Sequence, residues 1–144
     1  MPKKIAIAAD HAGIQLKAFL KKELSEIDFI DFGPNSPESV DYPDFAKKAC
    51  QAVQNKECER AILICGSGIG MSIAANKMKG IRAAHVESAI TAQLAAQHNN
   101  ANVLCLGQRI TGEAHALAAV KAWLEAKFEE RHQKRIDKIH SMEC

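Results

Sequence analysis

Five short apolar runs, separated by helical patterns, constrain this chain more than any other feature. The runs are KIAIAA (4–9), DFIDF (28–32), AILIC (61–65), IRAAHV (81–86) and NVLCLG (102–107). Each has the length of a strand rather than of a helix. Several are apolar on both faces, as strands of a parallel sheet covered on both sides must be. Between them apolar residues recur at spacings of three and four. In IQLKAFLKKEL, Leu16, Phe19, Leu20 and Leu24 share one helical face. Residues 44–54 and 88–97 repeat that pattern. After Gly112, Leu117, Val120, Leu124 and Phe128 form another stripe, and a further turn or two follows from Arg131 to His140. This alternation predicts an α/β sandwich around a parallel sheet of about five strands. Right-handed crossovers then place helices on both faces.

The 144 residues suit one domain, 1–144, with enough apolar material for a full core. A net charge of +2 argues against nucleic acid or a membrane surface as partner. MPKKIAIAAD lacks the apolar region of a signal peptide, and no run reaches the ~18 apolar residues of a membrane span. A cytoplasmic location is expected. The five cysteines, Cys50, Cys58, Cys65, Cys105 and Cys144, are odd in number and form no C-x-x-C pair. That disfavours a disulfide framework and a structural zinc site. Cys105 alternates within an apolar run and is expected in the core, while Cys50 and Cys58 flank the end of a helix. The loop GPNSPESVDYP (33–43) is long enough to be a functional wall or lid, or an elaborate turn.

In folds of this class ligands gather beyond the C-terminal ends of the strands. Three such ends carry polar or reactive residues: Asp10 with His11, Cys65 with its glycines, and Gln108 with Arg109. In CGSGIGMS, the N–H groups around Gly66, Gly68 and Gly70 can converge on an oxyanion where strand passes into helix. The spacing departs from the dinucleotide fingerprint G-x-G-x-x-G, although Glu87 stands near the place of its ribose-binding acid. No Walker lysine follows. Cys65 has two readings. It is a small buried hydrophobe closing a strand, or a thiol whose thiolate is favoured at a helix N-terminus and can take a proton from carbon. Ser67 and Ser72 stand near enough to assist, or to cap the helix; for Ser72 capping is the expectation. His98 and Asn99 end a helix, where a histidine serves as acid or base or simply answers the dipole. Arg131 and Arg135, four apart with His132 beside them, either grip a phosphate or belong to a solvated, salt-bridged helix.

Taken together, ADHAG, DYPDFA, ICGSGIGMSIAANK, GIRAA, QHNNANVLCLGQR and ERHQKRI occur in the order and spacing of type B ribose-5-phosphate isomerases. The chain resembles that family, which also includes galactose-6-phosphate isomerase subunits and enzymes acting on allose 6-phosphate, over nearly its whole length. The resemblance implies a Rossmann-like three-layer α/β/α sandwich and a homodimer, or a homotetramer, with active sites built by two chains. It implies that segment 129–144 contributes to the dimer and the phosphate site. It implies interconversion of ribose 5-phosphate and ribulose 5-phosphate in the non-oxidative pentose phosphate pathway, with no metal and no organic cofactor. Cys65 matches the base, since GSGIGMS holds no acid, and Ser67 matches an assisting hydroxyl. Gly66, Gly68 and Gly70 match the anion hole. His98 matches the ring opener and Asp10 a carboxylate working with it. Asn99 matches a contact to substrate oxygens. His11, Arg131 and Arg135 match phosphate contacts, Arg109 a further basic residue and Tyr42 a wall of the pocket. The alternatives are a hexose 6-phosphate isomerase and a non-catalytic nucleotide-binding module.

Overall fold

A computed structural model describes residues 3–144. The strands are β1 (Lys4–Ala9), β2 (Asp28–Asp31), β3 (Arg60–Cys65), β4 (Ala83–His85) and β5 (Val103–Gly107). They form one parallel sheet in the order β2-β1-β3-β5-β4. The helices are α1 (Ile14–Glu23), α2 (Tyr42–Gln54), α3 (Ile69–Ala75), α4 (Ala89–Asn99), α5 (Glu113–Glu125) and α6 (Gln133–His140), with a 3-10 turn at Glu130–His132 before α6. The expected three-layer α/β/α architecture is present.

Strand alternation sorts the core into two halves. Ile5, Ile7, Ile62, Ile64, Leu104 and Leu106 pack against α1, α4 and α5. Ala6, Ala8, Ala61, Leu63, Cys65, Val103 and Cys105 pack against α2 and α3. The first layer takes branched residues because its helices stand off on Leu16, Leu20 and Trp123. The second is lined by alanines and cysteines, so α2 comes close. Cys50 and Cys58 flank the end of α2 as expected, Cys50 within the helix and Cys58 after it, and both are buried. Burial pushes the Cys50 thiol up to about 12 and Cys105 well above its ordinary value, which makes both inert packing groups.

The stripe expected on α5 is shifted. Ala116, Ala119, Val120 and Trp123 are the buried residues, Leu117 and Leu124 are half-buried, and Phe128 lies beyond the helix. The small residues let α5 pack closely against α4, itself alanine-rich on its inner face. Trp123 anchors the contact, with its Nε1–H donating to the Ala101 carbonyl at 2.9 Å.

Two polar devices close the edges of the sheet. Lys17 is buried in α1 and donates from Nζ to Asp31 Oδ1 at 2.8 Å and to the Pro34 carbonyl at 2.7 Å, which fixes the root of loop 33–43. Burial pushes the Asp31 carboxyl up, but hydrogen bonds from Lys17, Lys21 and the Gly33 N–H outweigh it and hold the carboxyl below its ordinary value. At the other side, the Asn76 amide pairs with both backbone groups of Ala83. Its Nδ2 donates to the Ala83 carbonyl at 2.9 Å, and its Oδ1 accepts from the Ala83 N–H at 2.8 Å.

Candidate active site

Register brings the predicted strand-end residues together. Ala9 pairs with Ile64 and Cys65 with Gly107. Asp10 therefore follows β1 to a place beside Cys65, and its N–H donates to the Ile64 carbonyl at 3.0 Å. Asp10 is buried, and its Oδ1 accepts from the Ala12 N–H at 2.9 Å, which turns the chain into α1. Cys65 continues the parity of Ala61 and Leu63, so its sulfur faces the side of α3. There the Gly68 N–H donates to Sγ at 3.1 Å.

The glycine loop owes its shape to three close approaches. Gly68 has φ +83°, the left-handed region, and a Cβ there would meet His85 Cδ2 at 2.8 Å and the Leu106 carbonyl carbon at 2.9 Å. A Cβ on Gly70 would meet the Tyr42 ring at 2.6 Å, so Tyr42 walls the loop directly. Gly107, a residue not singled out from sequence, lets β5 pass against the backbone of Ser67. Ser67 Oγ accepts from the Ile69 N–H at 3.2 Å and keeps its own proton available. Ser72, expected as a cap, instead donates from Oγ to the Ile69 carbonyl at 2.9 Å within α3.

Arg109 arrives from the neighbouring strand end. Its N–H donates to the Gly66 carbonyl at 3.0 Å, and its guanidinium lies over Gly66. Gln108 is absorbed structurally, because its Oε1 accepts from the Leu16 N–H at 2.9 Å. His11 receives the Val40 N–H at Nδ1, 3.2 Å away. A ring that accepts at Nδ1 carries its N–H at Nε2, a donor suited to an anion. This assigns loop 33–43 a role left open between lid and turn: rooted by Lys17, it fixes the tautomer of His11.

The remaining expected residues lie elsewhere. α4 runs back from the end of β4 to the start of β5, so His98 and Asn99 sit at the N-terminal edge of the sheet. Asn99 is held there by Arg82, whose Nε donates to the Asn99 carbonyl at 3.2 Å. The length of a strand, about 17 Å, separates this edge from Cys65. The pairing of His98 with Asp10 is therefore not made within one chain. Around His98 the structure gathers a second cluster. The Glu129 N–H donates to the Gln97 carbonyl at 2.9 Å, and the His132 ring stacks near His98 with centroids 4.6 Å apart. Arg131 and Arg135 do not lie on one α-helix. Arg131 lies in the 3-10 turn and pairs with Glu129 at 2.9 Å, whereas Arg135 lies in α6 and contacts His132 Nδ1 at 2.9 Å.

His98, Glu129 and His132 bring three ligand-type atoms within 4.8 Å of one another. The surroundings suit an anion better than a metal ion. Arg135 can only donate, so His132 Nδ1 accepts and Nε2 keeps its proton, buried and without a partner. Burial, then the charges of Arg131, His98 and Arg135, hold His132 below its ordinary value and keep it neutral. Glu129 and His132 are the members of this cluster that were not among the expected site residues. For His132 the signal was its place between Arg131 and Arg135.

The nucleotide alternative fares poorly. In the dinucleotide fold the acid ends the strand beside the glycine-loop strand. Here Glu87 follows β4, and β5 lies between β4 and β3.

The structure is a parallel α/β sheet whose strand ends bring together a thiol, a carboxylate and a glycine loop. Comparison with known proteins specifies the class. The model of the Ribose/Galactose Isomerase family matches residues 5–139, and this chain belongs to that family. Ribose-5-phosphate isomerase B of Escherichia coli is 45% identical over 144 residues, 98% of this chain and 97% of that one. D-erythrulose-4-phosphate isomerase 2 of Mycolicibacterium smegmatis is 41% identical over 134 residues, 90% and 88% of the two chains. The structure of ribose-5-phosphate isomerase B from Mycoplasma genitalium with bound ribulose-5-phosphate superposes with a TM-score of 0.92 at 44% identity, covering 98% and 96%. Among the described residues no helix is long and apolar enough to cross a membrane.

Proposed function

We propose that this chain interconverts D-ribose 5-phosphate and D-ribulose 5-phosphate through an enediolate, as a homodimer with shared sites. One observation carries the chemistry: the Gly68 N–H on the Cys65 sulfur, at a strand end shared with Asp10, Ser67 and Arg109. The relatives named for this reaction support it across nearly the whole chain.

Ribose 5-phosphate is mostly cyclic, so the ring opens first. His98 moves a proton to the ring oxygen while a base removes the anomeric hydroxyl proton. Cys65 thiolate then takes the C2 proton. The electron pair of that C–H bond forms the C1–C2 double bond, and the aldehyde oxygen becomes the enediolate oxygen. N–H groups of residues 66–70 stabilise that charge; one such donor is worth about 100- to 1000-fold in rate. The proton returns to C1 while the C2 hydroxyl proton passes to the oxygen on C1, which gives the C2 ketone and a C1 hydroxyl. His11, Arg109, Arg131 and Arg135 hold the phosphate and contribute position rather than chemistry.

A second copy reconciles this mechanism with the two clusters. Ile69 and Ile73 on α3, Ile90 and Leu94 on α4, and Ile110 beside Arg109 are exposed apolar residues flanking the β4 end of the sheet. An isologous contact over them would bring the partner's α4 end and C-terminal segment toward the glycine loop. The single domain 1–144 thereby contributes one half-site from each edge, and segment 129–144 serves both dimer and phosphate. A turnover comparison of ribose 5-phosphate, allose 6-phosphate and galactose 6-phosphate on the purified protein tests the reading. Preference for a hexose phosphate would overturn the pentose assignment.

A further inference from the structure

Arg82 lies at the N-terminal edge and takes no part in the chemistry above. Four of its contacts tie together segments that bear site residues. Nε donates to the carbonyls of Asn99 at 3.2 Å and Asn100 at 3.0 Å, and NH2 donates to the Asn100 carbonyl at 2.7 Å. These carbonyls end α4, where no helical N–H remains to satisfy them. NH1 meets His140 Nε2 at 2.9 Å. A guanidinium has no acceptor, so His140 accepts at Nε2 and carries its proton on Nδ1. That proton is donated to Glu143 Oε1 at 2.8 Å. Glu143 Oε2 in turn accepts from the Gly80 N–H at 2.6 Å, on the turn leading into β4. The Gly80 bond, with the His140 contact, holds the Glu143 carboxyl below its ordinary value and charged. Asn102 closes the ring. Its Nδ2 donates to the Gly80 carbonyl and its Oδ1 accepts from the Arg82 N–H, each at 2.8 Å.

We propose that Arg82 is a positioning residue that locks the end of α4, carrying His98 and Asn99, to the C-terminal helix carrying Arg135. His140 and Glu143 are the bolts of that lock. The physical reason is local. His98 ends a helix and Arg135 sits on a short one, and neither α4 nor α6 alone fixes the distance between them. Arg82 is half-buried, and desolvation strengthens its hydrogen bonds to carbonyl oxygens. A lysine has one ammonium and no planar fork, so it cannot serve both the α4 carbonyls and His140. The inference rests on the isomerase reading for its kinetic consequence only.

The test uses the full chain with Arg82→Gln, Arg82→Lys and His140→Ala. Amide deuterium exchange in segments 96–102 and 133–144 is expected to accelerate together, at least about threefold, in Arg82→Gln and in His140→Ala, with 4–9 and 60–65 unchanged. Kinetics supply a readout that mere destabilisation would not move. Ribose 5-phosphate needs its ring opened, whereas erythrose 4-phosphate has no hydroxyl placed to close a furanose. Arg82→Gln is expected to lose about tenfold in kcat/KM on ribose 5-phosphate and less on erythrose 4-phosphate, with Arg82→Lys between it and the wild type. If Arg82→Gln does not fold, His140→Ala decides alone. The lock is overturned if His140→Ala speeds exchange only in 133–144, or if folded Arg82→Gln matches wild type on both sugars. A wild-type protein inactive on both sugars overturns the isomerase reading instead, and the exchange result still decides the lock.

Discussion

Mixing two inactive variants should restore activity by a fixed amount. Cys65 and His98 lie at opposite edges of one sheet, about a strand length apart, so one chain cannot apply both to one sugar. In an isologous dimer each site takes Cys65 from one chain and His98 from the other. Cys65→Ala and His98→Ala homodimers then carry two defective sites each. A heterodimer carries one doubly defective site and one site with both groups intact. Random assortment at equal concentrations makes half of the dimers heterodimers, so mixed material should reach about a quarter of wild-type activity. The assay is co-refolding or co-expression of the two variants with distinct tags, then turnover of ribose 5-phosphate. Isolating the heterodimer should raise the value to about half of wild type per dimer. Activity that stays at the mean of the two parents would refute the shared site, and with it the reasoning from strand direction.

Cys65→Ala alone should lower turnover by about 100- to 10,000-fold, the range of a positioned base, and leave the affinity for inorganic phosphate nearly unchanged; near-normal turnover would remove the base from Cys65. His98→Ala should cost much more on ribose 5-phosphate than on erythrose 4-phosphate, and equal losses would remove its ring-opening role. Gly68→Ala forces a Cβ onto His85 and the Leu106 backbone at φ +83°. It should destabilise the protein by more than about 1 kcal/mol by thermal unfolding and lower kcat by displacing the donor to Cys65. Asp31 has a depressed folded-state value, so its contribution is complete above the unfolded value of about 3.9 and is lost as pH falls through the lower folded one. Asp31→Asn should therefore lower Tm at pH 7 and flatten the decline of stability below about pH 4.

Much of this was legible because periodicity reports burial. The five runs became five strands, each within two residues of its expected ends. Asp10, Cys65 and Arg109 were expected at strand ends and stand at one edge, since parallel strands put their C-terminal ends together. The shifted face of α5 was not legible, because its buried residues are alanines around one tryptophan, and pattern reading favours leucine. The break between Arg131 and Arg135 was missed because the i+4 spacing reads as one continuous α-helix, and nothing in the residues marks the 3-10 turn that holds Arg131. The separation of His98 from Asp10 was deducible in principle. A helix that leaves the C-terminal end of one parallel strand must return to the N-terminal end of the next, and His98 stands at its finish.

The pairing of Asn76 with Ala83 has a consequence for assembly. An edge strand with open N–H and C=O groups templates another strand, and that is how sheets run on from molecule to molecule into aggregates. On β4 an amide side chain already occupies the Ala83 pair. On the opposite margin, β2 has an aspartate at each end, and Pro34 follows soon after. A growing fibre finds little purchase at either margin. In the proposed dimer, copies of this chain would then meet through side chains on helices rather than by strand pairing.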